Sequence, residues 1–405
     1  MERNVPKLRF KGFNDEWEEK KIGELYKDLK AGSTPSKLNS NYFKGTIPWI
    51  TSGELKSKYI YSTIEYITEE AKESANLKLY DEGTLFIAIT GLEAPGTRGS
   101  CAINKVKATT NQSCLAFQKS NMINNEFTYY WYNLYGEYIG ITYTQGTKQQ
   151  SLNNKLVAEL KINIPSLKEQ ERIVNFLTKV DKIIEKQDEK VKNLEKYKKG
   201  MMQKIFSQEI RFKDENGEEY PEWEEARLNN VLSIPEKIKT EIIEKDKLLT
   251  VKLHMQGIKV NKNVDTLNIG ATVYYKRKAG QFIYGKQNFF NGAFGIVPEE
   301  LDGYLSSGDI PALNINRDRI IPEYLINYIG RTEFYKKTEN LSSGTGSKRI
   351  HEKTLLEIVI NIPCVAEQER IANFLSNIDL VIDKENKKLE ELKRWKKGLL
   401  QQMFV

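Results

Sequence analysis

The chain carries one helix-like segment twice, and that repeat constrains its fold more than any other feature. Residues 163–206 begin NIPSLKEQERIVNFLTKVDKII and end KYKKGMMQKIF; residues 361–404 begin NIPCVAEQERIANFLSNIDLVI and end RWKKGLLQQMF. They align without a gap at a spacing of 198 residues, with roughly half of the positions identical. A looser echo lies upstream: LRFKGFNDEWEEKKIGEL at 8–25 returns as IRFKDENGEEYPEWEEARLNNVL at 210–232. Gly146-Thr147 precedes the first helix segment and Gly344-Thr345 the second, and between these markers the halves share little. The period is too long for a solenoid. The order is therefore a variable globular unit, a shared helix, a second variable unit and a second helix, as a tandem duplication leaves behind.

Each copy has the pattern of a long amphipathic helix. Ile173, Phe176, Leu177, Val180, Ile183, Ile184, Val191, Leu194, Tyr197 and Met201 recur at three- and four-residue steps. Ile371, Phe374, Leu375, Ile378, Val381, Ile382, Leu389, Leu392, Trp395 and Leu399 take the same places. This is a heptad-like seam. Ser166 followed by Glu169 has capping-box form, and Cys364 replaces the serine in the second copy, which weakens that cap. Two matched seams in one chain are most simply buried against each other. Either helix alone would fit core packing or a homo-oligomeric coiled coil equally well; the matched pair favours an antiparallel intramolecular coiled coil with a pseudo-two-fold repeat. The expected division is a first domain at 1–165, a central helix at 166–207, a second domain at 208–363 and a C-terminal helix at 364–405.

The globular units read as mixed α/β domains, making the whole chain α+β. Short β-like runs lie at 47–55, 83–90 and 101–109, with a helix over 126–139; the second unit has runs at 247–254, 271–277, 280–286 and 292–298, with a helix over 322–337. A length of 405 residues is ample for two cores. Mean hydropathy is −0.56, and no stretch approaches the ~18 apolar residues a membrane span needs. MERNVPKLRF lacks the apolar core of a secretory signal, so the expectation is a cytoplasmic protein with no membrane partner. Cys101, Cys114 and Cys364 read as reduced thiols.

Sixty-two Lys and Arg against 55 Asp and Glu give a net charge of +7, a weak pointer to nucleic acid. By segment the basic and acidic counts are 21 and 18 over 1–165, 11 and 7 over 166–207, 22 and 23 over 208–363, and 8 and 7 over 364–405. The largest excess lies on the first helix, so bulk charge does not locate a reading surface.

Motifs for bond-breaking chemistry are missing. SGTGSKR at 343–349 lacks the ending of a phosphate-binding loop, and GLEAPGTRG at 91–99 misses dinucleotide spacing. NIPS and NIPC lack the second proline and the aromatic of an amino-methyltransferase loop, and neither His254 nor His351 has a nucleophile or carboxylate context. No metal site and no catalytic residue is expected. What remains is Lys, Arg, Asn and Gln interleaved with aromatics at 97–112, 143–155, 274–288 and 342–353. Such side chains suit phosphates and base edges. As ordinary solvated loops they would need no partner; if the partner is DNA, the leading contacts are Arg98, Lys105, Asn111, Gln112, Lys148 and Gln149 in the first domain, and Arg277, Lys278, Lys286, Gln287, Lys348 and Arg349 in the second.

The lead-in segments with Glu-Trp, the IPWI run at 47–50, the Gly-Thr turns and above all the duplicated EQERI strings at 169–173 and 367–371 resemble the specificity subunits of type I restriction-modification systems. The resemblance spans the whole chain. It implies two target-recognition domains, each reading half of a split, asymmetric sequence in double-stranded DNA, and a helix pair that fixes the spacer. It implies a non-catalytic chain without a cofactor of its own. Two methyltransferase subunits and two motor-nuclease subunits would assemble on it and use AdoMet, ATP and Mg²⁺. The expected docking and coiled-coil residues are Glu169, Gln170, Arg172, Ile173, Phe176, Val180, Ile183 and Leu194, with Glu367, Gln368, Arg370, Ile371, Phe374, Ile378, Val381 and Leu392. The rival readings are a coiled-coil adaptor and a single-chain DNA methyltransferase, the latter disfavoured by its missing motifs.

Overall fold

The computed structural model describes residues 4–94, 96–144, 150–240, 244–262, 272–342 and 348–405. The two long helices run over Leu167–Phe206 and Val365–Met403. The chain forms two compact units: residues 1–188 with 387–405, and residues 189–386. The sequence-based division gave each helix a segment of its own, whereas the units divide both helices. The reason is burial. The core of the first unit takes Ile173, Val174, Leu177 and Val180 from the first helix and Leu399, Leu400, Met403 and Phe404 from the second. The core of the second takes Ile205 and Phe206 from the first helix and Ile371, Ala372 and Leu375 from the second.

The helices run antiparallel within each unit. In the first, Lys396 Nζ lies 2.6 Å from Asp181 Oδ1 while Asn163, ahead of the first helix, bonds the Val405 carbonyl beyond the second. In the second, Lys198 Nζ meets both Asp379 oxygens at 2.6 and 2.7 Å, and Lys190 Nζ meets Glu385 Oε1 at 2.7 Å. Asp181 and Asp379, like Lys198 and Lys396, are the same positions of the repeat. Val180, Val191, Ile382 and Leu389 are buried, as a seam requires. Two seam expectations are corrected: Ile183 and Val381 are 49% and 44% exposed, because the adjacent Ile184 and Ile382 turn inward. Leu194 and Leu392 are half-buried.

The globular part of each unit is closed by an antiparallel ribbon made from the two echoed stretches. Glu18–Lys21 pairs with Lys161–Ile164 in the first unit, and Glu224–Arg227 with Val359–Ile362 in the second, at the same register. Inside the first unit a five-stranded sheet has the order Lys30–Ala31, Cys114–Phe117, Leu85–Ala88, Cys101–Asn104, Tyr59–Ile60. Its central strands are buried on both faces, and helix Asn125–Thr142 packs on it. The second unit holds a four-stranded sheet in the order Leu232–Ser233, Ala312–Ile315, Phe282–Tyr284, Phe294–Ile296. The helix expected over 322–337 is two helices, Pro322–Ile329 and Thr332–Lys337, because Arg331 is extended (φ −67°, ψ 128°).

Candidate nucleic-acid interface

In the first unit the strand pairings Ile87↔Cys101 and Ala88↔Cys114 define one end of the sheet. The loops at that end carry Arg98, Asn111 and Gln112. The segment at 150–152 is drawn in beside them: Leu92 N donates to Gln150 O at 3.1 Å, and Leu152 N to Ile89 O at 2.8 Å. Arg98 NH2 donates to Gln150 Oε1 at 2.8 Å, and its NH1 lies 3.5 Å from Glu137 Oε1. This loop sits so close to helix Asn125–Thr142 that a Cβ on Gly136 would fall 2.4 Å from Gly99 Cα, and one on Gly140 2.9 Å from Arg98 Cγ. Gln112 accepts from Thr34 Oγ1, and Asn111 Oδ1 accepts from Ser113 N.

Lys105 is not part of this group. It follows the far end of strand Cys101–Asn104, ~13 Å away at ~3.3 Å per residue. Its ammonium lies 4.2 Å from the Tyr59 ring centroid, and the Tyr59 hydroxyl donates to Glu126. Lys148 and Gln149 lie outside the described residues.

In the second unit three turns are knotted by backbone bonds. Lys286 N donates to Asp309 O at 2.9 Å, and Ile350 N to Lys286 O at 3.0 Å. Lys286, Gln287, Lys348 and Arg349 therefore converge. With its carboxamide oxygen turned inward, Gln287 accepts from Arg349 Nε at 3.2 Å and NH2 at 2.7 Å. Arg349 NH1 lies 3.5 Å from Asp309 Oδ1, and Lys348 Nζ lies 2.7 Å from Glu339 Oε1. Lys286 Nζ lies 3.0 Å from Glu352 Oε2. Burial pushes the Glu352 carboxyl up, but its own backbone N–H and the Lys286 and Lys237 ammoniums outweigh this and hold it below the ordinary carboxylate value. Lys278 is exposed in the turn at the opposite end of strand Phe282–Tyr284.

Arg277 is corrected as a DNA contact. It is 5% exposed, and burial pushes its guanidinium down to about 10. Its Nε donates to Ser306 Oγ at 2.7 Å and its NH2 to Ile310 O at 3.0 Å, so it braces the turn that presents Asp309. A buried cation needs such partners, since leaving one unpaired is costly.

The EQERI strings also have internal duties. Glu169 and Gln170 are 1% and 0% exposed, and Glu367 and Gln368 are buried alike. Glu169 takes Arg9 in a bidentate pair at 2.7 and 2.8 Å, and Glu367 takes Arg211 at 3.3 and 2.9 Å. Gln170 Oε1 accepts from Asn124 N, and Gln368 Oε1 from Ile321 N, both at 2.9 Å. Phe176 meets Phe10 edge-on at 5.7 Å, and Phe374 meets Phe212 at 5.5 Å. Arg172 lies over the Phe10 ring, and Arg370 Nε donates to Tyr220. Ile173 and Ile371 are buried, and Ile378 is half-buried against the second core. These four Glu and Gln side chains are thus closed to another subunit. The two echoes in the sequence, Arg-Phe upstream and EQERI downstream, are the two faces of one joint.

Sequence reasoning missed Arg9, Trp17, Arg211 and Trp223 in the joints, and Glu137, Gln150, Asp309 and Glu352 beside the expected contacts. The upstream echo was the available signal for the first set. For the second set no local pattern existed, because the partners lie on separate turns.

Among the described residues there is no group of His, Cys, Asp or Glu that could hold a metal ion, and no helix is long and apolar enough to cross a membrane. The family model for the type I restriction modification DNA specificity domain matches twice, over residues 14–196 and 198–394. The specificity subunit of the type I restriction enzyme MjaVIII of Methanocaldococcus jannaschii is 24% identical over 430 residues, covering 98% of this chain and 94% of that protein. The EcoR124I/EcoR124II specificity subunit of Escherichia coli is 31% identical over 176 residues, 43% of each chain. The fold is similar to that of the type I restriction-modification S subunit from M. genitalium, with a TM-score of 0.55 at 16% identity over 99% of both chains. A chain from a structure of type I restriction-modification complex assembly gives 0.59 at 16% identity, covering 97% of this chain and 98% of that one. The family model matches once over each copy of the repeat and takes in both EQERI strings, and the chain belongs to the type I restriction-modification DNA specificity family.

Proposed function

We propose that this specificity subunit reads a split, asymmetric sequence in double-stranded DNA, one half-site per recognition domain. The observation that carries the reading is the contrast between the parts: the joints, ribbons and helices repeat, while the turns at the sheet ends differ. Repeated joints present two domains in the same way, and unlike turns give them unlike targets. The chain is the non-catalytic member of its system. AdoMet, ATP and Mg²⁺ belong to partner subunits, two methyltransferases and two motor-nucleases, in the cytoplasm. The exposed apolar positions Ile183, Leu380, Val381, Tyr197 and Trp395 on the long helices favour methyltransferase docking there. The helix pair sets the spacer between half-sites.

Methylation mapping of a host with and without the gene tests the reading. A split motif present only with the gene is expected, and no such motif would overturn it. Four residues inserted after Ile184, about one helical turn, lengthen the tolerated spacer; an unchanged spacer removes the ruler role. Size measurement with the methyltransferase should show two copies per chain.

A further inference from the structure

We propose that Arg98 in the first unit and Arg349 in the second are the guanine-reading residues of their domains, each held for that task between a carboxylate and a glutamine carboxamide. This rests on the DNA-reading assignment above. The same three groups meet in each unit. Arg98 donates to Gln150 Oε1 at 2.8 Å and lies 3.5 Å from Glu137. Arg349 donates to the Gln287 oxygen at 2.7 and 3.2 Å and lies 3.5 Å from Asp309.

The chain order of the parts is exchanged. In the first unit the arginine sits on a sheet-end loop, and the glutamine on the segment ahead of the short helix Asn154–Glu159. In the second the glutamine follows strand Phe282–Tyr284, and the arginine precedes the short helix Glu352–Leu356. The repeat spacing matches Gln150 with Lys348, not with Arg349. The arrangement is therefore not a remnant of duplication; unlike sequences reach it by separate routes.

The chemistry of the triad favours a base over a phosphate. A free cation attracts the DNA backbone whatever its sequence. Here the carboxylate offsets the guanidinium charge, and what remains is a planar set of N–H donors with fixed direction. The glutamine oxygen supplies acceptor lone pairs to those donors, as guanine O6 and N7 would. Guanine can take the place of the glutamine oxygen while the carboxylate keeps the plane in place, so little rotamer freedom is lost on binding. Both sites are braced from behind. Arg98 is seated on Gly140 with its Nε buried, which leaves its terminal nitrogens as the reading side. Arg277 holds the turn of Asp309.

The test is methylation mapping of the chain assembled with its methyltransferase, as wild type, Arg98→Lys, Arg349→Lys and Asp309→Asn. Lysine keeps the charge and loses the planar fork. Arg349→Lys should relax one guanine position of one half-site by about ten- to a hundredfold and leave the other half-site intact. Arg98→Lys should do the reverse. Asp309→Asn should weaken discrimination at the same position as Arg349→Lys, by a smaller factor. A motif unchanged by both lysine variants overturns the proposal. So does an even loss of affinity for all DNA, the mark of a phosphate contact. Alanine at either arginine gives a second route if a lysine variant does not fold. A wild-type complex that yields no split motif fails the underlying reading instead.

Discussion

Both units seat a helix-end phenylalanine on rings of the recognition domain, Phe404 on Phe127 and Trp17 in the first and Phe206 on Tyr324 and Tyr328 in the second. The first adds a buried ionic tie, and the second an arginine over the rings. In the first, Lys58 Nζ donates to Glu126 at 3.0 Å and to Tyr130 OH and Thr178 Oγ1 at 2.9 Å. The Tyr130 hydroxyl donates to Asp181 at 2.6 Å, and Lys396 closes the chain onto Asp181. Burial pushes the Lys58 ammonium down, against the pull of Glu126 and Asp181. In the second, Phe206 at the end of the first long helix packs on Tyr324 and Tyr328 at 5.7 and 5.3 Å. The Arg331 guanidinium covers Phe206 and Tyr328 at 4.7 and 4.3 Å. One joint geometry thus carries an ionic tie in one unit and a cation over rings in the other. Buried charges pay desolvation and answer to pH; rings contribute area and quadrupole contacts that do not titrate.

The joints differ in a way that predicts the largest effect. Trp223 Nε1 donates to Glu367 at 3.0 Å, whereas the corresponding Trp17 Nε1 is buried and has no partner among the described residues. Arg9→Met leaves Glu169 buried without the arginine that pairs it and should cost about 3–5 kcal/mol of unfolding free energy. Arg211→Met should cost less, because Trp223 still serves Glu367. Urea titration of both variants gives the order, and equal losses would remove the tryptophan argument.

Lys58→Met comes next, at about 1–3 kcal/mol, for the bonds lost to Glu126, Tyr130 and Thr178. Arg331→Met should cost no more than ~1–2 kcal/mol, since it removes a cation from the faces of rings that stay packed. Thermal melts of the two variants decide whether the ionic tie is the stronger one.

Alkaline pH separates the units further. Burial pushes the Cys114 thiol up to about 12 and raises Cys101 as well, from an ordinary value of 9.0; both lie in the first unit. A group whose folded pKa is raised contributes stability that is complete below its unfolded value and is lost as pH climbs toward the folded one. Between pH 9 and 10 each thiol should cost about 1 kcal/mol, added to the loss from the buried tyrosines, whose unfolded-state ionisation starts in the same interval. The double variant Cys101→Ala, Cys114→Ala should show a shallower slope over that interval in denaturant titrations.

The smallest effect belongs to Lys190→Ala. Its pair with Glu385, exposed on the lysine side, occurs in the second unit, where the first has Lys388 and Gln187 at the matching positions. Its loss should stay below ~1 kcal/mol and shrink further in salt.

The long helices were legible to within a residue or two, and strand runs such as Leu85–Ala88 and Phe282–Tyr284 fell inside the expected stretches. The seam was blurred at Ile183 and Val381, since adjacent isoleucines and valines satisfy a heptad pattern equally well. The proposed reading surface was half legible. Arg98, Asn111 and Gln112 come together, as do Lys286, Gln287, Lys348 and Arg349. Lys105 and Lys278 stand at opposite strand ends, and Arg277 is buried, because a residue's type does not say which end of a strand its turn occupies.

Periodicity and repetition are local properties, so the sequence alone determined the duplication, the two helices and the separation of repeated from variable parts. Only the tertiary structure decided which cations are free and which are held. Charge partners are chosen by proximity in space, across 160 residues for Arg9 and Glu169 and between separate turns for Arg349 and Asp309. The helix-start glutamates became the inner half of a joint for the same reason: a carboxylate buried on folding needs a cation, and only the fold brings Arg9 and Arg211 to them.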